Sequence, residues 1–213
     1  KELVRRHFEA ERAPFVEGET PLPLNVPSFG WEEVWEAVDS LLTNRLTMGE
    51  KVRRFEEMFA SYIGARHAVM VNSGSSANLL ALSVLTNPLA ERPIAPRDEV
   101  ITPAVTFPTT LAPLVQHQLI PVFVDCEPGT YNVDPALVAE AISPKTRAIM
   151  IPHTLGNPCD LEALTQLAKR HELWLVEDCC DALGSTFDGR LVGTFGDLAT
   201  LSFYPAHHIT MGE

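Results

Sequence analysis

The segment with the clearest potential for chemistry is SFYPAHHITMGE, residues 202–213. An apolar run ends there in hydroxyl groups and in two adjacent histidines, His207 and His208. An imidazole accepts and returns a proton near neutral pH, although a histidine in a loop more often caps a helix or faces solvent. No carboxylate or thiolate stands nearby at zinc-ligand spacing. The segment therefore favours acid–base chemistry over a metal site.

A second candidate is the turn NSGSSAN, residues 72–78, between a predicted strand and a predicted helix. Gly74 and Ser75 would present unpaired N–H groups at the positive end of the helix dipole, where phosphate binds. The turn is neither a Walker loop nor a dinucleotide fingerprint, and serine and asparagine also cap helices for structural reasons alone. Both explanations stay open on this segment by itself.

Two further residues follow apolar runs. Asp178 lies just after the apolar residues 173–176, where a poorly solvated carboxylate needs a cationic partner. A protonated pyridine nitrogen would serve, and a structural arginine would serve equally. Phe107, in TPAVTFPTT at residues 102–110, could lie flat against an aromatic ring or simply fill the core.

The elements that must position these residues alternate between short apolar runs and helical periodicity, which predicts an α/β fold with a mostly parallel central sheet flanked by helices. Asp188 and Gly189 predict a hairpin over residues 185–192. Gly64 predicts the end of a helix. The predicted strands are residues 68–71, 100–101, 121–125, 148–151, 173–176 and 200–203. The predicted helices are residues 31–42, 52–62, 75–85, 135–142 and 161–171.

Composition excludes several classes of function. The 213 residues carry a formal net charge of −12, which disfavours nucleic acid and anionic membranes as partners. There is no apolar run long enough for a membrane span and no apolar leader. Four cysteines without a CxxC pair are typical of reduced thiols, and hence of the cytoplasm. Residues 1–30 form a predicted Pro-rich arm with Pro14, Pro21, Pro23 and Pro27.

NSGSSAN, TPAVTFPTT, VEDCCDALGS and SFYPAHHITMGE together resemble the DegT/DnrJ/EryC1/StrS sugar aminotransferases in order and spacing. The resemblance covers residues 46–213. It implies the large domain of aminotransferase fold type I, binding pyridoxal or pyridoxamine phosphate (PLP or PMP) over residues 31–213. It also implies that this domain is cut at its C-terminal side, that the small domain is missing, and that the protein is a homodimer.

One departure from the family decides the chemistry that the resemblance implies. The family places the lysine that holds PLP covalently where this sequence has His207, and none of the four lysines lies near that loop. Loss of this amine argues against transamination. A cofactor that enters as PMP needs no lysine, and His207 could then move the proton at its C4′. This pattern resembles the 3-dehydrases of deoxysugar synthesis, which remove a hydroxyl from the sugar.

The resemblance also implies roles for individual residues. Gly74, Ser75 and Ser202 would bind phosphate, Phe107 would stack on the ring, and Asp178 would pair with its nitrogen. His207 would be the base, with Asp181 and Tyr204 tuning it. In the 3-dehydrase that acts on CDP-4-keto-6-deoxyglucose, Cys180 would be one ligand of a [2Fe-2S] cluster, and a separate NAD(P)H-dependent iron–sulfur flavin reductase would supply electrons. A cluster-free 3-dehydratase of GDP-4-keto-6-deoxymannose and a non-catalytic homologue are the alternatives.

Overall fold

A computed structural model of the chain describes residues 1–10, 15–23, 29–43 and 47–211. The helices of this part are α1 (Glu2–Glu9), α2 (Trp31–Leu42), α3 (Glu50–Ile63), α4 (Gly74–Leu85), α5 (Pro108–Gln116), α6 (Pro135–Ala141) and α7 (Leu161–Arg170). Its strands are β1 (Glu99–Pro103), β2 (Ile120–Val124), β3 (Thr146–Pro152), β4 (Trp174–Asp178), β5 (Thr186–Phe187), β6 (Arg190–Leu191) and β7 (Leu198–Thr200). A 3₁₀ turn covers Thr154–Gly156.

The central sheet has five parallel strands in the order β2-β1-β3-β4-β7. This confirms the predicted α/β fold with a parallel sheet. Strands β5 and β6 form the separate antiparallel hairpin predicted around Asp188 and Gly189. The register places Asp178 opposite both Pro152 and Thr200, so the carboxyl ends of three neighbouring strands are level.

Helices cover both faces of this sheet because its strands are apolar on both faces. On one face, Ile149 and Ile151 of β3 pack with Leu161 and Leu164 of α7. On the other, Met150 of β3 joins the buried residues of α4 and α5. Neighbouring residues of one strand therefore belong to different core clusters, as the pleat requires.

The predicted helices begin and end close to the expected positions. Asp134 caps α6 and Asp160 caps α7, each by accepting a backbone N–H in the first turn. Gly64 ends α3 with φ of +84°. No helix of the described part is long and apolar enough to cross a bilayer.

Two predicted strands need correction. Residues 68–71 form no strand: the Met70 N–H donates to Glu56 Oε1 at 2.7 Å, and Val69 is 66% exposed. No neighbouring strand lies alongside this segment in the described part of the chain to complete a ladder. The last strand is Leu198–Thr200 rather than residues 200–203, because β4 ends opposite Thr200 and offers no further pairing.

The first thirty residues contain a helix that the sequence did not predict. Helix α1 packs against α2, with the rings of Phe8 and Phe29 6.5 Å apart and Lys1 Nζ 5.3 Å from the Trp31 ring. Pro14 and Pro27 of the predicted arm lie outside the described residues, as do residues 212–213 of the last motif. Helix α5 is the other element that the sequence did not predict.

Candidate active site

Most of the predicted site residues meet at the carboxyl edge of the parallel sheet. Strand β4 ends at Asp178 and β7 ends at Thr200, directly opposite each other. The first residue of α4, Gly74, packs against the loop that follows β7. Open α/β sheets bind ligands outside the carboxyl ends of their strands, so this edge is the candidate site.

The carboxylate of Asp178 is buried, with the residue 6% exposed, and it accepts three hydrogen bonds. Asn78 Nδ2 and Thr110 Oγ1 both donate to Oδ2 at 2.9 Å. The Cys180 N–H donates to Oδ1 at 3.2 Å. Over the described residues no lysine or arginine pairs with this carboxylate. All three donors are therefore neutral, and the described part of the chain provides no structural arginine.

Gly74 lies where a larger residue could not. A Cβ built on Gly74 would lie 2.6 Å from Ser202 Cβ, 3.0 Å from Ser202 Oγ and 3.1 Å from Cys180 Sγ. Real Cβ atoms do not approach other atoms so closely, and the obstructing Ser202 Cβ sits next to the backbone. Glycine is therefore required here for close packing, and the contact brings the start of α4 beside the Ser202 hydroxyl.

The N-terminus of α4 is capped and still has free donors. Ser73 is the N-cap, and its Oγ accepts the Ser76 N–H at 3.2 Å. The N–H groups of Gly74 and Ser75 have no acceptor among the described residues, and Ser75 is exposed. Capping and anion binding are thus compatible in this turn, and these donors could hold a phosphate at the positive end of the helix.

His207 lies at this edge beside the two residues predicted to tune it. Its Nε2 is 3.4 Å from Asp181 Oδ1, and its ring lies 5.6 Å from the Tyr204 ring in an edge-on arrangement. The Nδ1 atom is buried and has no hydrogen-bond partner in the described part of the chain. His208, by contrast, is exposed. The imidazole of His207 is thus held by its neighbours with one nitrogen uncommitted.

Phe107 is 70% exposed and makes no ring contact with the described residues. It caps α5, and its carbonyl accepts the N–H of Thr110, the residue that donates to Asp178. Core filling does not explain a side chain this exposed. Its place one turn from the Asp178 contact leaves it available to a planar ligand.

A second buried pair, His153 and Glu177, lies next to Asp178 at the end of β4. His153 Nε2 is 3.0 Å from Glu177 Oε2, and His153 Nδ1 accepts the Cys159 N–H. The imidazole is therefore neutral and donates through Nε2. Glu177 also accepts the backbone N–H groups of Gly193, Phe195 and Gly196. Burial alone would raise the pKa of Glu177, but the hydrogen bonds from His153 and from backbone N–H groups lower it below the ordinary value.

Metal binding is not supported by the side-chain clusters of the described residues. The one group with metal-like spacing is His153, Glu177 and Cys179. Each Glu177 oxygen already accepts two hydrogen bonds. Burial raises the pKa of the Cys179 thiol well above its usual value. Burial also raises the pKa of Cys180, and the neighbouring Asp178 raises it further. Cys180 belongs to no such group, so the predicted [2Fe-2S] site has one candidate ligand in the described part of the chain.

The lysines lie away from the site. Lys51 pairs with Glu36 and Asp39, while Lys145 precedes β3 and Lys169 lies in the last turn of α7. The last two are therefore at the amino edge of the sheet, opposite the site. Lys1 contacts the Trp31 ring. His207 consequently has no lysine beside it that could replace the missing amine.

Sequence reasoning did not assign roles to several residues of the site, chiefly Asn78, Thr200 and His153. Asn78 offered a signal, because it is the one amide side chain in an apolar helix and lies four residues after Gly74, on the same helix face. Thr200 and His153 offered none, since threonine in a strand and histidine after a strand are common.

Comparison with known proteins finds relatives of this chain. The profile of the DegT/DnrJ/EryC1/StrS aminotransferase family matches residues 28–213. The dTDP-4-dehydro-2,6-dideoxy-D-glucose 3-dehydratase of Saccharopolyspora spinosa is 55% identical over 208 residues, covering 97% of this chain and 45% of that protein. The lipopolysaccharide biosynthesis protein RfbH of Salmonella typhimurium is 51% identical over 201 residues, covering 94% and 46%.

Solved structures agree. The GDP-4-keto-6-deoxy-D-mannose-3-dehydratase of E. coli with bound hydrated PLP has a TM-score of 0.83 and 37% identity, and the match covers 91% of this chain and 49% of that chain. The chain thus spans about half the length of the curated relatives it matches. The match confirms the aminotransferase fold type for the part of the protein represented here.

Proposed function

The chain belongs to the DegT/DnrJ/EryC1/StrS aminotransferase family, and we propose that it is the cofactor-binding part of a PMP-dependent nucleotide-sugar 3-dehydrase. One observation carries the proposal. The resemblance implies that His207 stands where the family has its lysine, and His207 lies beside Asp181 at the sheet edge that also holds Asp178 and the free N–H groups of α4. A base in place of the amine suits proton movement on a cofactor that arrives already aminated.

The residues at the edge fit the cofactor. The N–H groups of Gly74 and Ser75 with the Ser202 hydroxyl would bind its phosphate, and the close packing at Gly74 brings the start of α4 beside Ser202. Asp178 would accept the N–H of the pyridinium ring, and Phe107 would cover a ring face. When bound, PMP supplies an amine that condenses with a sugar ketone and a ring that accepts an electron pair.

His207 would take the proton from the cofactor's C4′ and return a proton to the departing sugar hydroxyl. Asp181, 3.4 Å from Nε2, would hold the imidazole in place. Tyr204 would limit the rotation of the ring by its edge-on contact. These three residues are the proposed catalytic group.

The proposed substrate is a nucleotide-linked 4-keto-6-deoxyhexose, with CDP-4-keto-6-deoxyglucose as the specific proposal. The name of the relative at 55% identity, a dTDP-sugar 3-dehydratase, supports the substrate class, and the name of RfbH supports a role in lipopolysaccharide biosynthesis. The GDP-sugar alternative is represented at 37% identity. A non-catalytic homologue is disfavoured because the α4 N-terminus, Asp178 and His207 occur together at the sheet edge. Direct comparison of the three nucleotide sugars decides among them.

Partners and location are part of the proposal. Deoxygenation at C3 requires two electrons after loss of water, for which a separate NAD(P)H-dependent iron–sulfur flavin reductase is the proposed source.

A homodimer is proposed because Leu79, Leu80 and Val84 leave an exposed apolar face on α4. The four unpaired thiols support the cytoplasm. No step is assigned to a [2Fe-2S] cluster, because the described residues supply only Cys180.

The test uses purified full-length protein loaded with PMP. We expect it to bind PMP and to release water from CDP-4-keto-6-deoxyglucose, measured by mass spectrometry of the sugar, with GDP and dTDP sugars as comparison substrates. Turnover confined to a GDP sugar would support the cluster-free alternative. Absence of PMP binding would overturn the proposal and favour a non-catalytic homologue.

A further inference from the structure

A buried chain of hydrogen bonds leads from β7 to the Asp178 carboxylate. Thr200 Oγ1 donates to Asn78 Oδ1 at 2.6 Å, and Asn78 Nδ2 donates to Asp178 Oδ2 at 2.9 Å. Asn78 is 1% exposed and Thr200 is 5% exposed. We propose that Asn78, fixed by Thr200, is a positioning residue that orients Asp178 toward the ring nitrogen of the cofactor. This inference rests on the proposed function.

The Asn78 amide can satisfy its neighbours in only one orientation. Its Nδ2 faces two groups that only accept hydrogen bonds, the Asp178 carboxylate and the Thr109 carbonyl at 3.2 Å. Turning the amide over would place its oxygen against both acceptors. The hydroxyl of Thr200 completes the arrangement because it donates to the amide oxygen.

The Thr109 carbonyl is available because of a proline inside α5. In an α-helix this carbonyl would accept the N–H of the residue four positions later, which is Pro113. Proline has no N–H, so the Thr109 carbonyl has no partner four residues later in the helix. Asn78 supplies the missing donor. Because Pro113 leaves the Thr109 carbonyl without a helical donor, this carbonyl can accept Asn78 Nδ2, the same atom that donates to Asp178.

The consequence for Asp178 is an unequal use of its two oxygens. Oδ2 accepts Asn78 and Thr110 and has both lone-pair directions occupied. Among N–H and O–H groups, only the Cys180 N–H donates to Oδ1, at 3.2 Å, and the Cys180 thiol is a further, weak donor to this carboxylate. Oδ1 is therefore the oxygen with remaining capacity, and the geometry assigns it to the pyridinium N–H.

The test compares two ligands on full-length protein. One is PMP, and the other is 1-deaza-pyridoxamine phosphate, in which a C–H replaces the ring nitrogen. For the wild type we expect PMP to bind about tenfold or more tightly than the deaza analogue, the value of one charge-assisted hydrogen bond. Asn78→Leu and Thr200→Val should lower this ratio toward unity, whereas Thr200→Ser, which keeps the hydroxyl, should preserve it.

If Asn78 and Thr200 have only a structural role, the ratio of the affinities for PMP and the deaza analogue should behave differently. Loosening of the pocket would weaken both ligands by the same factor and leave the ratio unchanged, and that result would overturn the inference. If Asn78→Leu does not fold, Thr200→Val decides, because it leaves the amide in place and removes only its orienting hydroxyl. A wild type that binds PMP without preferring it over the deaza analogue also overturns the inference. A wild type that binds neither ligand refutes the proposed function instead.

Discussion

Gly74 packs against Ser202 so closely that a Cβ on the glycine would lie 2.6 Å from the serine Cβ. The first residue of α4 and the loop after β7 are therefore in direct backbone-to-side-chain contact. This contact places the positive end of the helix dipole beside a hydroxyl group, which is the arrangement that a phosphate needs.

Substitution of Gly74 by alanine should disrupt this contact. The added Cβ must displace Ser202 or α4, at a cost of about 2 kcal/mol in the free energy of unfolding. We also expect the affinity for PMP to fall, since the N–H groups of α4 would move relative to the Ser202 hydroxyl. Gly129→Ala is the matched control, because a Cβ there meets nothing within 4 Å. Equal PMP affinity in Gly74→Ala and the wild type would contradict the assigned phosphate site.

Replacement of His207 by asparagine should lower the turnover rate about 10²–10⁴-fold without abolishing cofactor binding. A general base contributes about 10²–10⁴-fold to the rate, and asparagine cannot take a proton. The measurement pairs the rate of water release with the dissociation constant for PMP. The control is His208→Asn, which changes the exposed neighbouring histidine. Unchanged turnover in His207→Asn would remove His207 from the mechanism.

Replacement of Glu177 by glutamine should destabilise the fold in a pH-dependent way. Each Glu177 oxygen accepts two donors, whereas the amide nitrogen of a glutamine would face two of them without accepting either. We expect a loss of about 3 kcal/mol near neutral pH, measured by urea unfolding. The exposed Glu57→Gln is the control and should change little.

The sign of the pH dependence follows from the lowered pKa of Glu177 in the folded state. Its stabilising contribution is fully present above the ordinary glutamate value of 4.5 and is lost as pH falls below it. The difference in unfolding free energy between wild type and Glu177→Gln should therefore shrink below pH 4.5. A difference that grows on acidification would contradict the hydrogen-bonded carboxylate.

The Leu155→Gly variant should have a higher free energy of unfolding than the Leu155→Ala variant. Its backbone has φ of +55° and ψ of +28°, the left-handed region, and its side chain is 78% exposed. Truncating the side chain removes little packing, and glycine adopts this conformation without the cost of about 1 kcal/mol that alanine retains. Urea unfolding of Leu155→Gly and Leu155→Ala measures this difference, and equal stability would argue against strain at this turn.

Much of the fold could be predicted from the sequence because its signals are local. The apolar run at residues 148–151 is a strand because both faces of the sheet are covered. Asp134 and Asp160 are N-caps, and each directly precedes the first residue of its helix. Residues 68–71 have the same apolar character, yet strand formation requires a neighbour to pair with, and the sequence of one segment does not contain that information.

The site was predictable in part for the same reason. Asp178 and His207 follow apolar runs, and this position predicts that they lie at the edge of the sheet. The order of the four motifs predicts that they belong to one site. The contacts of Asn78 with Thr200 and Asp178 were not predictable, because they join side chains that are distant in sequence. Their partners are set by how α4 lies over the sheet, which depends on core packing as a whole.

The hydrogen bond between Asn78 and Thr200 spans 122 residues of sequence, and the bond between Asn78 and Asp178 spans 100. Contacts of this range tend to form late in folding, because the entropic cost of closing a long loop precedes the gain from the contact. A chain still being synthesised cannot orient Asp178 until β7 has emerged and joined β4. The Asp178 contacts are thus completed only after β7 has joined the sheet, and PMP binding would report that these contacts have formed.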